Sequence, residues 1–257
     1  MFIQLLVTAG GSAPMENRLQ NKVLLLTGAG GGIGRAIAET LARQQMKIIL
    51  FGGNNLENLE KTRAAAAGYT GVEVLPGDLT DPDFLTAGIE KAAAVFGGID
   101  VLINNAGVAQ STPFENVTAA EFDRIMNINF KVPFFLTQQA IGHLKHSDYA
   151  TIINIASVVG HAGYPLQSVY TASKHALMGF TKSIAREYFR DKIRVHAICP
   201  GGVYTDMVKI SRPDLSPEGM IQPEDIASIV LFLLQHRGNA VIDEILVHRV
   251  NKEPFSV

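Results

Sequence analysis

Short, almost unbroken apolar runs recur along this chain at positions 22–27, 47–51, 72–75, 101–104, 151–156, 194–198 and 241–247. A strand wetted on one face alternates apolar with polar residues. These runs do not alternate, so they predict strands covered on both faces, as in a parallel sheet. The stretches between them carry helical spacing instead: Ile33, Ile37 and Leu41, for example, share one face of a helix. Strand and helix in alternation predict an α/β fold, one doubly wound parallel sheet of seven strands flanked by helices.

Helix ends carry their own chemistry. Thr118-Ala-Ala-Glu121 reads as a capping box that opens a helix running toward His146. Pro82 opens the helix before Phe96, and Pro223-Glu-Asp places a proline and two acids in the first turn of the last helix, where the macrodipole favours negative charge. No repeat or linker divides the chain. The irregular stretch 204–220, with Gly, Pro and Ser scattered through it, has the length of a lid or binding loop. Residues 1–14 are apolar without periodicity and precede a fresh start at Met15; they read as an upstream extension, with one catalytic domain over 15–257.

Composition narrows the function. The chain has 257 residues, 47% of them hydrophobic, and a net charge of -2, enough to bury a large core but without the basic block of a phosphate-backbone binder. No nucleic-acid partner is expected. Cys199 is the only cysteine, which excludes an intrachain disulfide and fits a reducing, cytoplasmic setting. No segment reaches the ~18 apolar residues of a membrane span.

Directly after the first strand stands Thr27-Gly-Ala-Gly-Gly-Gly-Ile-Gly34, leading into a helix. Glycines let the backbone turn sharply and approach a pyrophosphate, and the free amides at the helix start receive its charge. The spacing Gly-x-x-x-Gly-x-Gly, through Gly28, Gly32 and Gly34, resembles that of the classical short-chain dehydrogenases/reductases, and the likeness runs over residues 21–247. It implies a single-domain Rossmann fold binding NAD or NADP. By that resemblance the cofactor-binding positions are Gly28, Gly30, Gly32, Ile33, Gly34, Gly53, Asp78, Leu79, Asn105, Ala106, Gly107, Pro200, Gly201, Val203 and Thr205, joined by Tyr170 and Lys174. Each of these, taken alone, is equally a turn or cap residue.

Tyr170-Thr-Ala-Ser-Lys174 places a phenol and an ammonium four residues apart, on one face of a helix. A phenol has a pKa near 10, and a neighbouring cation stabilises its anion. Such a pair arises by chance in many sequences; order and spacing give it weight. Ser157 precedes Tyr170 by the family's interval, and Asn129 stands where the family keeps a helical asparagine. The resemblance makes Asn129, Ser157, Tyr170 and Lys174 the catalytic set. Tyr170 would exchange the proton, Ser157 would bond the substrate oxygen, Lys174 would lower the Tyr170 pKa, and Asn129 would anchor a water linked to Lys174.

No metal site is expected, since His161, His175 and His196 lack partners at ligand spacing. His161 is either a loop residue or part of the substrate pocket. Cys199 and Phe134-Phe135 read as core. At the end of the second strand, Gly52, Gly53 and Asn54 offer neither the acid that marks NAD nor the arginine that marks NADP, and Arg35 is the one cation near the loop, so the expectation leans to NAD. The family resemblance favours a 3-oxoacyl reductase-like substrate, with sugar, polyol, steroid or small-ketone substrates open, and a homotetramer or dimer. A non-catalytic sensor or scaffold on the same fold is the alternative of another class.

Overall fold

The computed structural model describes residues 17–211 and 216–253. The expected extension over 1–14 lies outside the described residues, as do positions 212–215 of the expected loop. Seven strands, β1 (Val23–Thr27), β2 (Lys47–Phe51), β3 (Val72–Leu75), β4 (Val101–Asn104), β5 (Thr151–Ile155), β6 (Arg194–Pro200) and β7 (Glu244–Val247), form one parallel sheet in the order β3-β2-β1-β4-β5-β6-β7. The order reverses between β1 and β4, and the crevice at such a switch point is where doubly wound sheets receive ligands.

Alternate residues of each strand feed opposite cores. Leu24, Leu26, Ile48 and Leu50 pack with α1 (Gly32–Ala42), α2 (Leu56–Ala66) and α8 (Pro223–Gln235). Leu25, Ile49, Phe51 and Leu102 pack with α3 (Pro82–Phe96), α5 (Val132–Leu144) and α6 (Ser168–Tyr188) on the other face. All eight side chains are fully buried. Truncating such a leucine to alanine costs ~2–5 kcal/mol.

Four expectations need correction. The last strand begins at Glu244 rather than 241, since its pairing with β6 starts at Ala197 opposite Glu244 and Val241 is solvent-exposed. β6 runs on to Pro200: a proline is tolerated at a strand's last position, and the next amide, Gly201 N, continues the bonding to Val247 O at 2.8 Å. The capping box at Thr118 is half made. Thr118 Oγ1 accepts from Glu121 N, but the Glu121 carboxylate accepts from Thr112 Oγ1 at 2.7 Å instead of returning to the cap.

The single helix expected from Thr118 toward His146 is interrupted. It consists of α4 (Ala119–Met126), a π-helical turn over Asn127–Lys131, and α5, which ends at Leu144. Val132 N–H reaches back five residues to the Asn127 carbonyl, immediately before Pro133, which has no N–H to continue the regular ladder. Asn129 lies inside this turn. The loop after Thr205 also holds a short helix, α7 (Asp206–Ser211).

Candidate active site

A cleft of about 340 Å³ opens at the carboxyl ends of β1, β4, β5 and β6. At its β1 end the glycine turn supplies backbone. Gly28 has φ +68, and a Cβ there would stand 2.8 Å from Ala106 Cα, so the turn presses directly on the segment after β4. The same segment is fastened by Thr27, whose hydroxyl accepts from Asn105 N and Ala106 N at 3.1 Å, while Asn105 Nδ2 donates to the Thr27 and Gly28 carbonyls at 3.0 Å. Helix α1 follows its N-cap Gly31 with no side-chain cap and no acid in its first turn. Its orphan amides and positive dipole are left for a ligand.

Side chains supply the other end. Ser157 follows β5 and donates to Pro200 O at 3.3 Å, which ties the ends of β5 and β6 together. Tyr170 and Lys174 share one face of α6, with the ammonium 5.8 Å from the phenol ring centre. Lys174 Nζ donates to Ile155 O at 2.9 Å. The start of α6 is held by Gln110, whose Oε1 accepts from Val169 N at 2.9 Å and Tyr170 N at 3.2 Å.

Asn129 is wholly buried, and its side chain is committed to protein. Oδ1 accepts from Val108 N at 2.8 Å; Nδ2 donates to Val108 O at 3.0 Å and to Ser173 Oγ at 3.1 Å. Through these bonds Asn129 braces Val108, a cleft residue, against α6.

Burial pushes the Tyr170 phenol up, and the Ser157 hydroxyl beside it pulls it partly back. The expected lowering by Lys174 is not what dominates in this structure. Burial brings Lys174 itself down to about 8. Burial likewise pushes the Cys199 thiol up to about 11, which leaves it unreactive among the core residues, 3.6 Å from Met178 Sδ.

Of the positions singled out from sequence, Gly28, Gly30, Gly32, Ile33, Asn105, Ala106, Gly107, Ser157, Tyr170, Lys174, Pro200, Gly201, Val203 and Thr205 line the cleft. Gly34, Gly53, Asp78, Leu79 and Asn129 do not. Gly34 faces the turn, where a Cβ would meet Gly28 O at 2.2 Å. Gly53 N donates to Gly77 O, and Leu79 is buried over Gly52. Asp78 is exposed and folds onto Thr80, accepting from its N–H and hydroxyl at 2.8 Å; those bonds hold the carboxyl below its usual range. His161 stands 3.6 Å from Glu244 and is not among the cleft's lining residues. Asp206, Met207 and Val208, from the stretch expected to form a lid or binding loop, also line the cleft, as do Asn58 and Val108, and Gln110 supports it; these last three belong to no motif that would have marked them.

A family model for short chain dehydrogenases matches residues 22–216. The chain is 33% identical over 240 residues to the 3-oxoacyl-(acyl-carrier-protein) reductase of Thermotoga maritima, covering 89% of this chain and 96% of that one. It is 36% identical over 242 residues to the 3alpha-hydroxysteroid dehydrogenase of Mediterraneibacter gnavus, covering 89% and 95%. A crystal structure of a dehydrogenase/reductase from Sinorhizobium meliloti superposes with a TM-score of 0.82 at 30% identity, covering 90% of this chain and 95% of the other. The chain belongs to the short-chain dehydrogenase family and is an oxidoreductase acting between alcohol and carbonyl groups.

Proposed function

We propose that this enzyme uses NAD or NADP, with Tyr170 as the group that exchanges a proton with the substrate oxygen. The observation that carries this is the convergence of Ser157, Tyr170 and Lys174 on one cleft whose far end is the uncapped glycine turn. That turn fits a dinucleotide: its backbone leaves room for a pyrophosphate, and the first amides of α1 would hold it. A bound nicotinamide supplies or accepts hydride at the substrate carbon.

The chain's own residues do the rest. Ser157 donates to the carbonyl oxygen, a positioned dipole aimed at the charge that grows there. Tyr170, kept neutral by burial, delivers its proton to the same oxygen, which suits the reducing direction. Lys174, near 8, carries most of its positive charge at neutral pH and favours the phenolate left behind. Asn129 and Gln110 hold Val108 and the start of α6 in place.

NAD rather than NADP is the preferred cofactor in this proposal. Gly52, Gly53 and Asn54 bring no cation to the end of β2, and the Arg35 guanidinium is engaged with Thr62 Oγ1 at 3.1 Å and with the Gly30 and Asn58 carbonyls at 3.0 and 3.4 Å. A 3-oxoacyl-like substrate is supported by the relatives bearing that activity. Association with a second copy is supported by the exposed Phe122, Phe134 and Phe135 on α4 and α5, the last two lying at the surface and not in the core where the sequence placed them. A cytoplasmic setting is supported by the single buried cysteine; among the described residues no helix is long and apolar enough to cross a membrane.

The test is a titration of wild type and Tyr170→Phe with NADH and NADPH, followed by turnover on carbonyl and alcohol substrates. Retained cofactor binding with lost turnover is expected. Undiminished turnover in Tyr170→Phe would remove the tyrosine from the chemistry, and absence of cofactor binding would remove the glycine turn.

A further inference from the structure

Residues 248–253 leave the sheet at the same end as the cleft, because β7 runs parallel to β6 and β6 to β5. The segment then ties the loops of the β5–β6 side together. Lys252 Nζ donates to the Tyr164 hydroxyl at 2.8 Å, and Tyr164 lies on the loop between Ser157 and Tyr170. Asn251 Nδ2 donates to Glu218 O at 3.2 Å, on the stretch after α7. The Arg249 stem lies 3.4 Å from where a Cβ on Gly202 would stand, one residue past Gly201 of the cleft lining.

Arg249 and Lys252 thus stand on the β6–β7 side, away from the glycine turn. Two acids of the neighbouring elements are paired elsewhere, Asp206 with Lys209 at 3.0 Å and Glu244 with His161 at 3.6 Å. Among the described residues no carboxylate lies within ion-pair distance of Arg249 or Lys252. Both side chains are half-buried, so their positive charge is only partly screened. Tyr164 accepts from Lys252 and keeps its own proton to donate. A guanidinium fork, an ammonium and a phenol are together a donor set for a carboxylate or phosphate.

We propose that Arg249, Lys252 and Tyr164 form an anion-binding subsite that selects substrates carrying a carboxylate or phosphate remote from the reacting carbonyl. This specificity rests on the carbonyl–alcohol function proposed above. The anion is held at the loops while the carbonyl lies at Ser157 and Tyr170, so the subsite acts on binding rather than on proton transfer.

The test uses a homologous series of methyl ketones with a terminal carboxylate, the matching methyl esters as uncharged controls, and phosphonates of the same lengths. With the cofactor-saturated wild type, the best charged ketone is expected to exceed its ester roughly tenfold or more in kcat/KM, about the effect of one charge-assisted bond. Whichever of the carboxylate and phosphonate arms gains more identifies the anion. Arg249→Gln and Lys252→Met should each raise KM for the charged series while leaving kcat and the esters unchanged, and added salt should do the same to wild type.

Calorimetric binding of the same probes to cofactor-saturated Tyr170→Phe reads the subsite without turnover. Failure of the catalytic proposal therefore shows as charged-probe binding without reaction in any protein. Equal affinity for acid and ester, or a preference unchanged in both charge variants, would overturn the subsite.

Discussion

The two ends of the cleft are made of different material. The β1–α1 end is mostly backbone, contributed by Gly28, Gly30, Gly31, Gly32 and Ile33 of one short turn. The β5–β6 end is side chain, with Ser157 after β5 and Tyr170 and Lys174 on α6, a helix held by Gln110 and Asn129 from other elements. A site built of backbone is damaged by adding atoms, whereas a site built of side chains is damaged by removing them. Substitutions of the two kinds should therefore separate cofactor binding from turnover.

The largest expected effect is at the side-chain end. Tyr170→Phe removes the proposed proton donor and should lower kcat by ~10²–10⁴-fold with cofactor affinity nearly unchanged, as steady-state kinetics and a fluorescence titration would report. Gly28→Ala is the opposite case. A methyl at φ +68, 2.8 Å from Ala106 Cα, forces strain of ~1–3 kcal/mol, so cofactor affinity and melting temperature should both fall. An alanine variant with wild-type cofactor affinity would break the comparison.

Lys174 sharpens it through pH. Its folded pKa, about 8, lies below its ordinary value of 10.5, so the native state releases the proton first. Burial of the charge therefore lowers stability at neutral pH, and that penalty is relieved as pH rises from about 8 toward 10.5. Cys199, pushed up to about 11 from 9.0, works against this above pH 9 because its folded state holds the proton longer. The clean window is pH 8 to 9. There wild type should gain up to ~1.4 kcal/mol per pH unit in denaturant unfolding relative to Lys174→Met. Parallel curves for the two proteins would contradict the burial of this charge.

Gln110→Leu removes the acceptor for two amides at the start of α6 and should cost ~1 kcal/mol, with kcat falling several-fold and the cofactor Kd unchanged. A shift in cofactor affinity instead would show that the two ends are coupled. The smallest effect belongs outside the cleft: Glu57→Gln breaks the exposed pair with Lys61 on α2 and should leave the unfolding midpoint nearly unchanged and activity unaffected.

Much of this was legible in the chain, for reasons that differ by residue. Apolar runs without alternation gave every strand within a few positions, since burial on both faces leaves no room for polar residues. Tyr170 and Lys174 could be paired because a helix converts a spacing of four into contact. The π-helical turn was not legible. A helix-compatible pattern runs through Asn129, and the interruption depends on where Pro133 meets the ladder. Gln110 escaped notice because nothing local marks a side chain that caps a helix beginning nearly sixty residues later.

The sequence alone determined the strand–helix alternation, the glycine turn and the order of Ser157, Tyr170 and Lys174, because each depends on neighbours a few bonds or one helical turn away. Tertiary structure decided which of these residues face the cleft. It turned Gly34 and Asn129 into packing and bracing residues, fixed the pKa of Tyr170 and Lys174 through burial, and brought Lys252 to Tyr164 across 88 positions of chain. Desolvation and long-range hydrogen bonds depend on what packs around a group, and that is known only once the sheet has closed its layers.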